Sequence, residues 1–194
     1  DGPDPLYTPT VLRLLDKYHT QASFCVVGVH ADAYPKLVRD IASAGHIIVN
    51  HSYSHALPFS TLPEKRIVTE ITRTQAAIEK AAGVTPQLFR APGGDWSKFI
   101  LEACAAYGVE PLDWDVDPRD WARPGTKKIV KRMLKAELTR RGVTYSQLVQ
   151  KLADIGVVDS EPNIRNKLSR GKFTAVFLIQ CLTAIGASSL HLQD

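Results

Sequence analysis

The sequence predicts an α/β fold with a parallel sheet over residues 1–126, followed by a small all-α bundle over residues 127–194. The first part alternates short apolar runs with amphipathic helical patterns, which is typical of βα units. The second part shows helical patterns without a strand-like run. Residues 1–126 hold 12 Lys and Arg against 15 Asp and Glu, whereas residues 127–194 hold 12 against 5. This asymmetry indicates two modules with different partners.

Four short apolar runs are the predicted strands of the first part. They cover residues 23–27, 46–49, 87–90 and 109–113. In parallel α/β sheets, ligands gather at the carboxyl ends of the strands. The residues directly after each run are therefore the first candidates for a functional site.

Helical patterns lie between these runs. One helix ends before Gly45 and presents an apolar face formed by Tyr34, Leu37, Val38 and Ile41. A second helix is predicted to begin at Thr61, which forms a capping box with Glu64. A third is predicted to follow Asp95 as its N-cap.

The second part is predicted to contain four helices, separated or ended by Gly142, Gly156, Gly171 and Gly186. Its core residues recur at helical spacing: Leu134, Leu138, Leu148, Leu152, Ile155, Ile164 and Leu168. Thr144 and Gln147 form a capping box, Ser160 starts the next helix, and the last helix runs from about residue 174 to residue 185.

Composition excludes several classes of protein. With 44% hydrophobic and 23% charged residues, the chain is globular rather than collagenous, fibrous or disordered. No run approaches the roughly 20 apolar residues of a membrane-spanning helix. The three cysteines, Cys25, Cys104 and Cys181, are odd in number, far apart and in apolar surroundings. They are predicted to be buried core residues rather than a disulfide framework or a CxxC zinc site.

Two histidines four residues apart follow the second strand run, in the order His51-Ser52-Tyr53-Ser54-His55. If this stretch makes one helical turn, both imidazoles point to one side, where they can hold a divalent metal. Hydrogen-bonded loop histidines are the alternative, since the spacing alone supplies no third ligand. No Glu follows His51, so the HExxH pattern of metalloproteases is absent.

Further polar clusters accompany the other strand runs. Arg90-Ala91-Pro92-Gly93-Gly94 follows the third run, and Asp1-Gly2-Pro3 begins the chain. An acidic cluster ending in Trp121 follows the fourth run and contains Asp113, Asp115, Asp117 and Asp120. We expect the clusters to converge at one end of the sheet, although a Pro-Gly-Gly turn or a solvated Asp-rich loop is ordinary in isolation.

In this order the clusters resemble the motifs of polysaccharide deacetylases with a NodB homology domain, carbohydrate esterase family 4. Residues 1–3 resemble the end of the motif TFDDGP, and residues 51–55 resemble the motif H-[ST]-x-x-H. Residues 90–94 resemble the motif R-x-P-x-G, and residues 117–121 resemble the motif D-x-x-D-W. The resemblance covers residues 1–126. It implies a partial, distorted seven-stranded (β/α) barrel and metal-dependent hydrolysis of the N-acetyl group in N-acetylglucosamine-containing carbohydrate.

The same resemblance implies a role for each matching residue. Three residues would hold a divalent metal, with zinc expected and cobalt as the alternative: Asp1, His51 and His55. Arg90 would orient the general base, and Asp117 would tune the catalytic histidine. The substrate pocket would be formed by Trp121, Pro92 and Gly93.

The sequence also departs from the family pattern. The general base of the family would come directly before Asp1, and the L-x-H motif of the general acid is absent, because the one histidine after residue 126 is His191 in Leu190-His191-Leu192. A general acid or base contributes about 10²- to 10⁴-fold to the rate. We therefore expect weak or no hydrolysis together with retained metal binding.

Residues 127–194 resemble small helix-turn-helix domains of the Cro type and an uncharacterised bacterial family. One face of the third predicted helix carries Asn163, Asn166, Lys167 and Arg170. Such side chains can contact DNA bases and phosphates, and a solvated polar face is the alternative. The competing function is thus a DNA-binding protein with an inactive deacetylase remnant. Localisation stays open, since family deacetylases act on exported or cell-envelope polymers and DNA lies in the cytoplasm.

Overall fold

The computed structural model describes residues 1–114, 119, 122–123, 125–171 and 173–187. It divides the chain into two compact units, Asp1–Asp113 and Trp114–Asp194. A domain boundary between residues 126 and 127 stays a prediction. No helix among the described residues is both long and apolar enough to cross a membrane.

The first unit contains a parallel sheet, as the sequence predicts. Its strands are β1 (Ser23–Val26), β2 (Ile47–Asn50), β3 (Leu88–Phe89) and β4 (Glu110–Pro111). Within the described residues they form one four-stranded sheet in the order β1-β2-β3-β4, each pair parallel. Gly2 extends this sheet beyond β1, because its N–H donates to the Cys25 carbonyl and its own carbonyl accepts from Val27. The start of the chain is thereby held beside the carboxyl end of β1.

Helices pack on the sheet of this unit: α1 (Thr8–Lys17), α2 (Gly28–Ala33), α3 (Pro35–Ser43), α4 (Glu64–Ala82) and α5 (Lys98–Ala106). The structure confirms α3, α4 and α5 as predicted helices. Helices α1 and α2 were not predicted from the sequence. The apolar spacing that buries Leu15 in α1 was an available signal.

Two predicted helix starts are wrong. Helix α4 begins at Glu64 rather than Thr61, whose hydroxyl donates to the Pro58 carbonyl instead of capping the helix. The N-cap of α5 is Ser97, which accepts a hydrogen bond from the Ile100 N–H. Asp95 instead accepts from the Ser60 N–H, so its carboxylate fixes a loop contact that is distant in sequence.

Two apolar clusters bury the helices of the first unit against the sheet. One joins Val26 and Ile48 of the strands to Val38, Ile41 and Ile78 of the helices. The other contains Phe59, Ile67, Ile71, Phe89 and Ile100. These clusters fix the helix that faces the candidate site, α4, against the strand that leads into it, β2.

The cysteine prediction holds for two of the three thiols. Cys104 and Cys181 are buried free thiols, whereas Cys25 is only half-buried. Burial raises the pKa of Cys104 to about 11 and that of Cys181 to about 12. Both groups are therefore protonated thiols at neutral pH.

The described residues of the second unit form α6 (Thr126–Arg140), α7 (Tyr145–Asp154), α8 (Glu161–Arg170) and α9 (Ala175–Ala184). The capping box of Thr144 and Gln147 is present, and Ser160 caps α8. The predicted core is confirmed for Leu134, Leu138, Leu148, Leu152, Ile164 and Leu168. Ile155 is a wrong core prediction, because it lies at the end of α7 and is 42% exposed.

Candidate metal centre

Asp1, His51 and His55 converge at the carboxyl end of the sheet. Each offers one ligand atom, and these atoms lie within 4.8 Å of one another. Asp1 Oδ1 is 3.1 Å from His51 Nε2 and 3.5 Å from His55 Nε2. The two sequence segments meet because the residue after Asp1 pairs beside β1 and His51 directly follows β2.

The protonation state of His51 suits metal ligation. Its Nδ1 lies 2.8 Å from the Arg90 carbonyl oxygen, which can only accept, so Nδ1 carries the proton and Nε2 directs a lone pair at Asp1. Burial lowers the pKa of His51 to about 4, although the hydrogen bond to Arg90 acts in the opposite direction. Burial and the neighbouring His51 also lower the pKa of His55.

A carboxylate oxygen and two imidazole nitrogens thus face one another, and the Asp1 oxygen and the His51 Nε2 are both hydrogen-bond acceptors. Such a set is repulsive without a proton or a cation between its members. One carboxylate and two imidazoles are a common ligand set for a catalytic divalent metal, which keeps a further position for water. The donor set therefore fits the metal that the sequence resemblance implies.

The segment between the two histidines is a loop, so the condition of a helical turn between them is not met. Ser52 and His55 adopt positive φ angles of 63° and 53°, which place them in the left-handed region. Two side chains stabilise this path: Asn50 Oδ1 accepts from the Ser52 N–H, and Ser52 Oγ accepts from the His55 N–H. Local hydrogen bonds to side chains thus replace those of a helix.

The start of α2 contacts the same loop. The N–H groups of Gly28 and Val29 donate to the carbonyls of Ser52 and Tyr53, each at 3.0 Å. Gly28 leaves no room for a side chain, because a Cβ there would lie 2.3 Å from Tyr53 Cδ2. The close approach of backbone to loop therefore requires glycine.

Two further residues near the site were missed by sequence reasoning. Asn50 is fully buried and joins β2 to α4, since its Nδ2 donates to the Ile71 carbonyl. A buried polar residue at the end of an apolar strand was the available signal. His30 of α2 has its Nδ1 3.1 Å from the Asp1 carbonyl oxygen and helps to hold the first residue. Nothing in its local sequence indicates that contact.

Arg90 contributes to the site through its backbone. Its N–H donates to the Asn50 carbonyl, and its own carbonyl accepts from His51. Pro92 and Gly93 form a 3₁₀ turn in which Pro92 is buried and Gly93 has a φ of 64°. Their roles toward a base or a substrate stay predictions. Asp117, Trp121 and His191 lie outside the described residues.

The predicted DNA-contacting face of α8 is partly occupied within its own unit. Asp159 accepts hydrogen bonds from Asn163 Nδ2 at 2.7 Å and from Lys167 Nζ at 2.6 Å. Lys167 also lies 4.5 Å from the Phe177 ring centroid. Asn166 and Arg170 are exposed. Because two of its four side chains stabilise the fold, this face gives no support to DNA binding.

Comparison with known proteins gives two family matches. The model described as "Polysaccharide deacetylase" matches residues 1–112, and the one described as "Domain of unknown function (DUF6471)" matches residues 127–190. The second match carries no function, so the helix-turn-helix interpretation of residues 127–194 stays a prediction.

Individual relatives agree with the first match. A chitooligosaccharide deacetylase from Bradyrhizobium sp. (strain ANU 289) is 36% identical over 137 residues, which are 70% of this chain and 62% of that protein. A peptidoglycan-N-acetylglucosamine deacetylase from Bacillus cereus is also 36% identical, over 70% of this chain and 63% of that protein. The chain thus spans less than two thirds of the length of these two relatives.

A solved structure extends the similarity to the fold. The family 4 carbohydrate esterase from Streptomyces lividans, in complex with acetate, aligns with a TM-score of 0.66 and 36% identity. The alignment covers 70% of this chain and 69% of that chain. The predicted α/β class therefore agrees with both the sheet and a solved relative.

Proposed function

The chain belongs to the polysaccharide deacetylase family, and from this membership we propose that it hydrolyses the N-acetyl group of N-acetylglucosamine-containing carbohydrate. In this proposal Asp1, His51 and His55 hold a divalent metal, for which zinc is the first candidate. The observation that carries it is the convergence of one carboxylate and two neutral imidazoles within 4.8 Å.

The reaction needs an electrophilic carbonyl and a nucleophilic water. A bound divalent ion supplies both, because it polarises a carbonyl oxygen and lowers the pKa of water from 15.7 to about 7. The protein's part is to hold the ligands: the Arg90 carbonyl fixes the His51 ring, and burial keeps that ring neutral. Asp1 supplies the negative charge that offsets part of the charge of the cation.

Hydrolysis also requires that water lose a proton and that the leaving amine gain one. The three converging groups lie within 4.8 Å of one another, so ligation of a metal would occupy them. We therefore include slow turnover by residues 1–194 in the proposal, since neither the family's general-base Asp nor its L-x-H motif occurs among these residues and each such group typically contributes about 10²- to 10⁴-fold to the rate. No observation favours the alternative of a DNA-binding protein with an inactive remnant.

The test measures zinc content and acetate release together. We expect near-stoichiometric zinc and slow release of acetate from N-acetylglucosamine oligomers by the purified protein. The double variant His51→Ala, His55→Ala should lose both. His19→Ala is the matched control, because it removes an exposed imidazole outside the ligand set and should retain both.

A different experimental result would contradict each part of the proposed function. Equal zinc in the wild type and the double variant would exclude the assigned ligands. Zinc-loaded protein that releases no acetate would exclude the hydrolysis. Turnover equal to that of an intact family deacetylase would exclude the proposed slow rate.

A further inference from the structure

Glu70 of α4 lies against the loop that joins the two histidine ligands. Its Oε2 accepts hydrogen bonds from the N–H groups of Tyr53 and Ser54, at 2.8 and 2.7 Å. Its Oε1 accepts from the Ser54 hydroxyl at 2.6 Å. Glu70 is buried, with 6% exposure. A buried carboxylate is costly without such donors, and here the loop itself provides three of them.

The hydrogen bonds of the loop show why this contact matters. The Ser52 and Tyr53 carbonyls are bound by α2, and the N–H groups of Ser52 and His55 are bound by side chains next to them. The N–H groups that remain between the two ligands belong to Tyr53 and Ser54. Glu70 binds both, so every N–H group between the two ligands has a hydrogen-bond partner.

The conformation of the loop is one that needs external support. Two of its residues, Ser52 and His55, have positive φ angles, which cost free energy for residues other than glycine. A segment with this geometry keeps it only while surrounding contacts define it. His55, a ligand, is one of the strained residues, so any relaxation of the loop would move its imidazole.

From these contacts we propose that Glu70 is a positioning residue that sets the metal affinity of the site by holding the loop between His51 and His55. The inference rests on the proposed assignment of those histidines as metal ligands. Residues that orient metal ligands from outside the coordination sphere typically change metal affinity by 10- to 100-fold when they are replaced.

The length and the charge of the Glu70 side chain can be tested separately by two substitutions. The contact of Glu70 Oε1 with Arg66 Nε is long at 3.9 Å, whereas the hydrogen bonds to the loop are 2.6–2.8 Å. Asp keeps the charge but is one methylene shorter, so it cannot span to both N–H groups. Gln keeps the reach, because its carbonyl oxygen can accept from both N–H groups and its amide can donate to the Ser54 hydroxyl.

The first measurement is the zinc dissociation constant, obtained by competition with a chromophoric chelator. We expect Glu70→Asp to bind zinc about 10- to 100-fold more weakly than the wild type and Glu70→Gln to bind it like the wild type. Glu64→Asp is the matched control, since it makes the same change at an exposed position of α4 and should leave binding unaltered. Equal zinc affinity in Glu70→Asp and the wild type overturns the proposal.

The second measurement is amide hydrogen exchange of Tyr53 and Ser54 in the metal-free protein. Glu70→Asp should accelerate exchange at these two amides while the amides of β2 stay protected, and unchanged exchange overturns the proposal. If Glu70→Asp does not fold, Ser54→Ala removes only the 2.6 Å contact and should weaken zinc binding by a smaller factor. Zinc-free wild type would contradict the proposed function, and the exchange rates would still decide the role of Glu70.

Discussion

Single side chains in this protein take their chemical properties from contacts distant in sequence. His51 is neutral because it is buried, and its tautomer follows from a carbonyl 39 residues away, that of Arg90. Asn50 precedes it and joins the end of β2 to α4 through the Ile71 carbonyl. His51 and Asn50 are thus neighbours in sequence, while their hydrogen-bond partners belong to other elements.

Replacement of Asn50 by Ala should destabilise the first unit. The Ser52 N–H and the Ile71 carbonyl would each lose a buried partner, and an unsatisfied buried group costs about 1–3 kcal/mol. Urea unfolding measures the loss. Asn166→Ala, at an exposed position of α8, is the control and should change stability by less than about 0.5 kcal/mol. A stability of Asn50→Ala equal to that of the control would contradict the structural role of Asn50.

At the scale of elements, hydrogen bonds at helix ends and ion pairs on helix faces stabilise the second unit. The capping box of α7 and the Ser160 cap of α8 are local, so the sequence patterns identify them correctly. In α6, Glu137 accepts hydrogen bonds from Arg140 and Arg141 at 2.9 and 3.0 Å. This cluster joins α6 to the end of α9, because Arg141 also donates to the Ile185 carbonyl.

The Glu137 cluster predicts a loss of stability in acid. Burial raises the pKa of Glu137, but the hydrogen bonds from Arg140 and Arg141 outweigh it and hold the pKa below the ordinary 4.5. A carboxylate with a lowered pKa stabilises the fold above its ordinary pKa, and this contribution is lost as the pH falls through the folded-state pKa. We expect about 1 kcal/mol of stabilisation at neutral pH, given that both arginines are partly exposed.

Thermal unfolding of the wild type and Glu137→Gln between pH 7 and pH 3 tests this prediction. The variant should be less stable at pH 7, and the difference should shrink as the pH falls below 4.5. Glu102→Gln, in an exposed ion pair with Lys98 of α5, is the control and should show little difference at any pH. A difference for Glu137→Gln that stays constant with pH would exclude the ionised carboxylate as its cause.

The whole molecule combines two units that differ in charge and architecture. Asp1–Asp113 carries a net charge of −2 and Trp114–Asp194 a net charge of +6. The apolar core clusters divide in the same way, so each unit buries its own core. The two family matches also fall on separate stretches, residues 1–112 and residues 127–190.

Zinc should therefore stabilise one unit and leave the other unchanged. Free zinc at 100 times its dissociation constant should add about 2.7 kcal/mol to the unfolding free energy of Asp1–Asp113. Hydrogen exchange measures this as slower exchange of the β2 amides with no change in the α7 amides, and a chelator should reverse it. Zinc that slows exchange in the His51→Ala, His55→Ala variant would show that the stabilisation arises elsewhere.

Local patterns in the sequence were sufficient to predict the strands, most helices of both units and most core positions of the second unit. Periodicity, caps and glycine stops depend on residues within one or two turns of each other, so they can be interpreted without the fold. The three proposed ligand residues were predicted from the resemblance of the ordered motifs to a known family, and the structure brings them within 4.8 Å of one another. Three local rules failed for different reasons. Thr61 donates to the nearby Pro58 carbonyl, Asp95 accepts from Ser60, which is distant in sequence, and Ile155 is exposed at a helix end.

The contacts that hold the candidate site in place could be identified only from the folded structure. Parallel pairing of the strands brings Asp1 next to His51, and packing of α4 under the loop brings Glu70 to Tyr53 and Ser54. The left-handed residues of that loop could not be predicted locally, because Ser and His adopt positive φ only when surrounding contacts, here both local and distant ones, compensate for the cost. Sequence patterns thus identify elements through neighbouring residues, whereas the site depends on residues that are neighbours only in space.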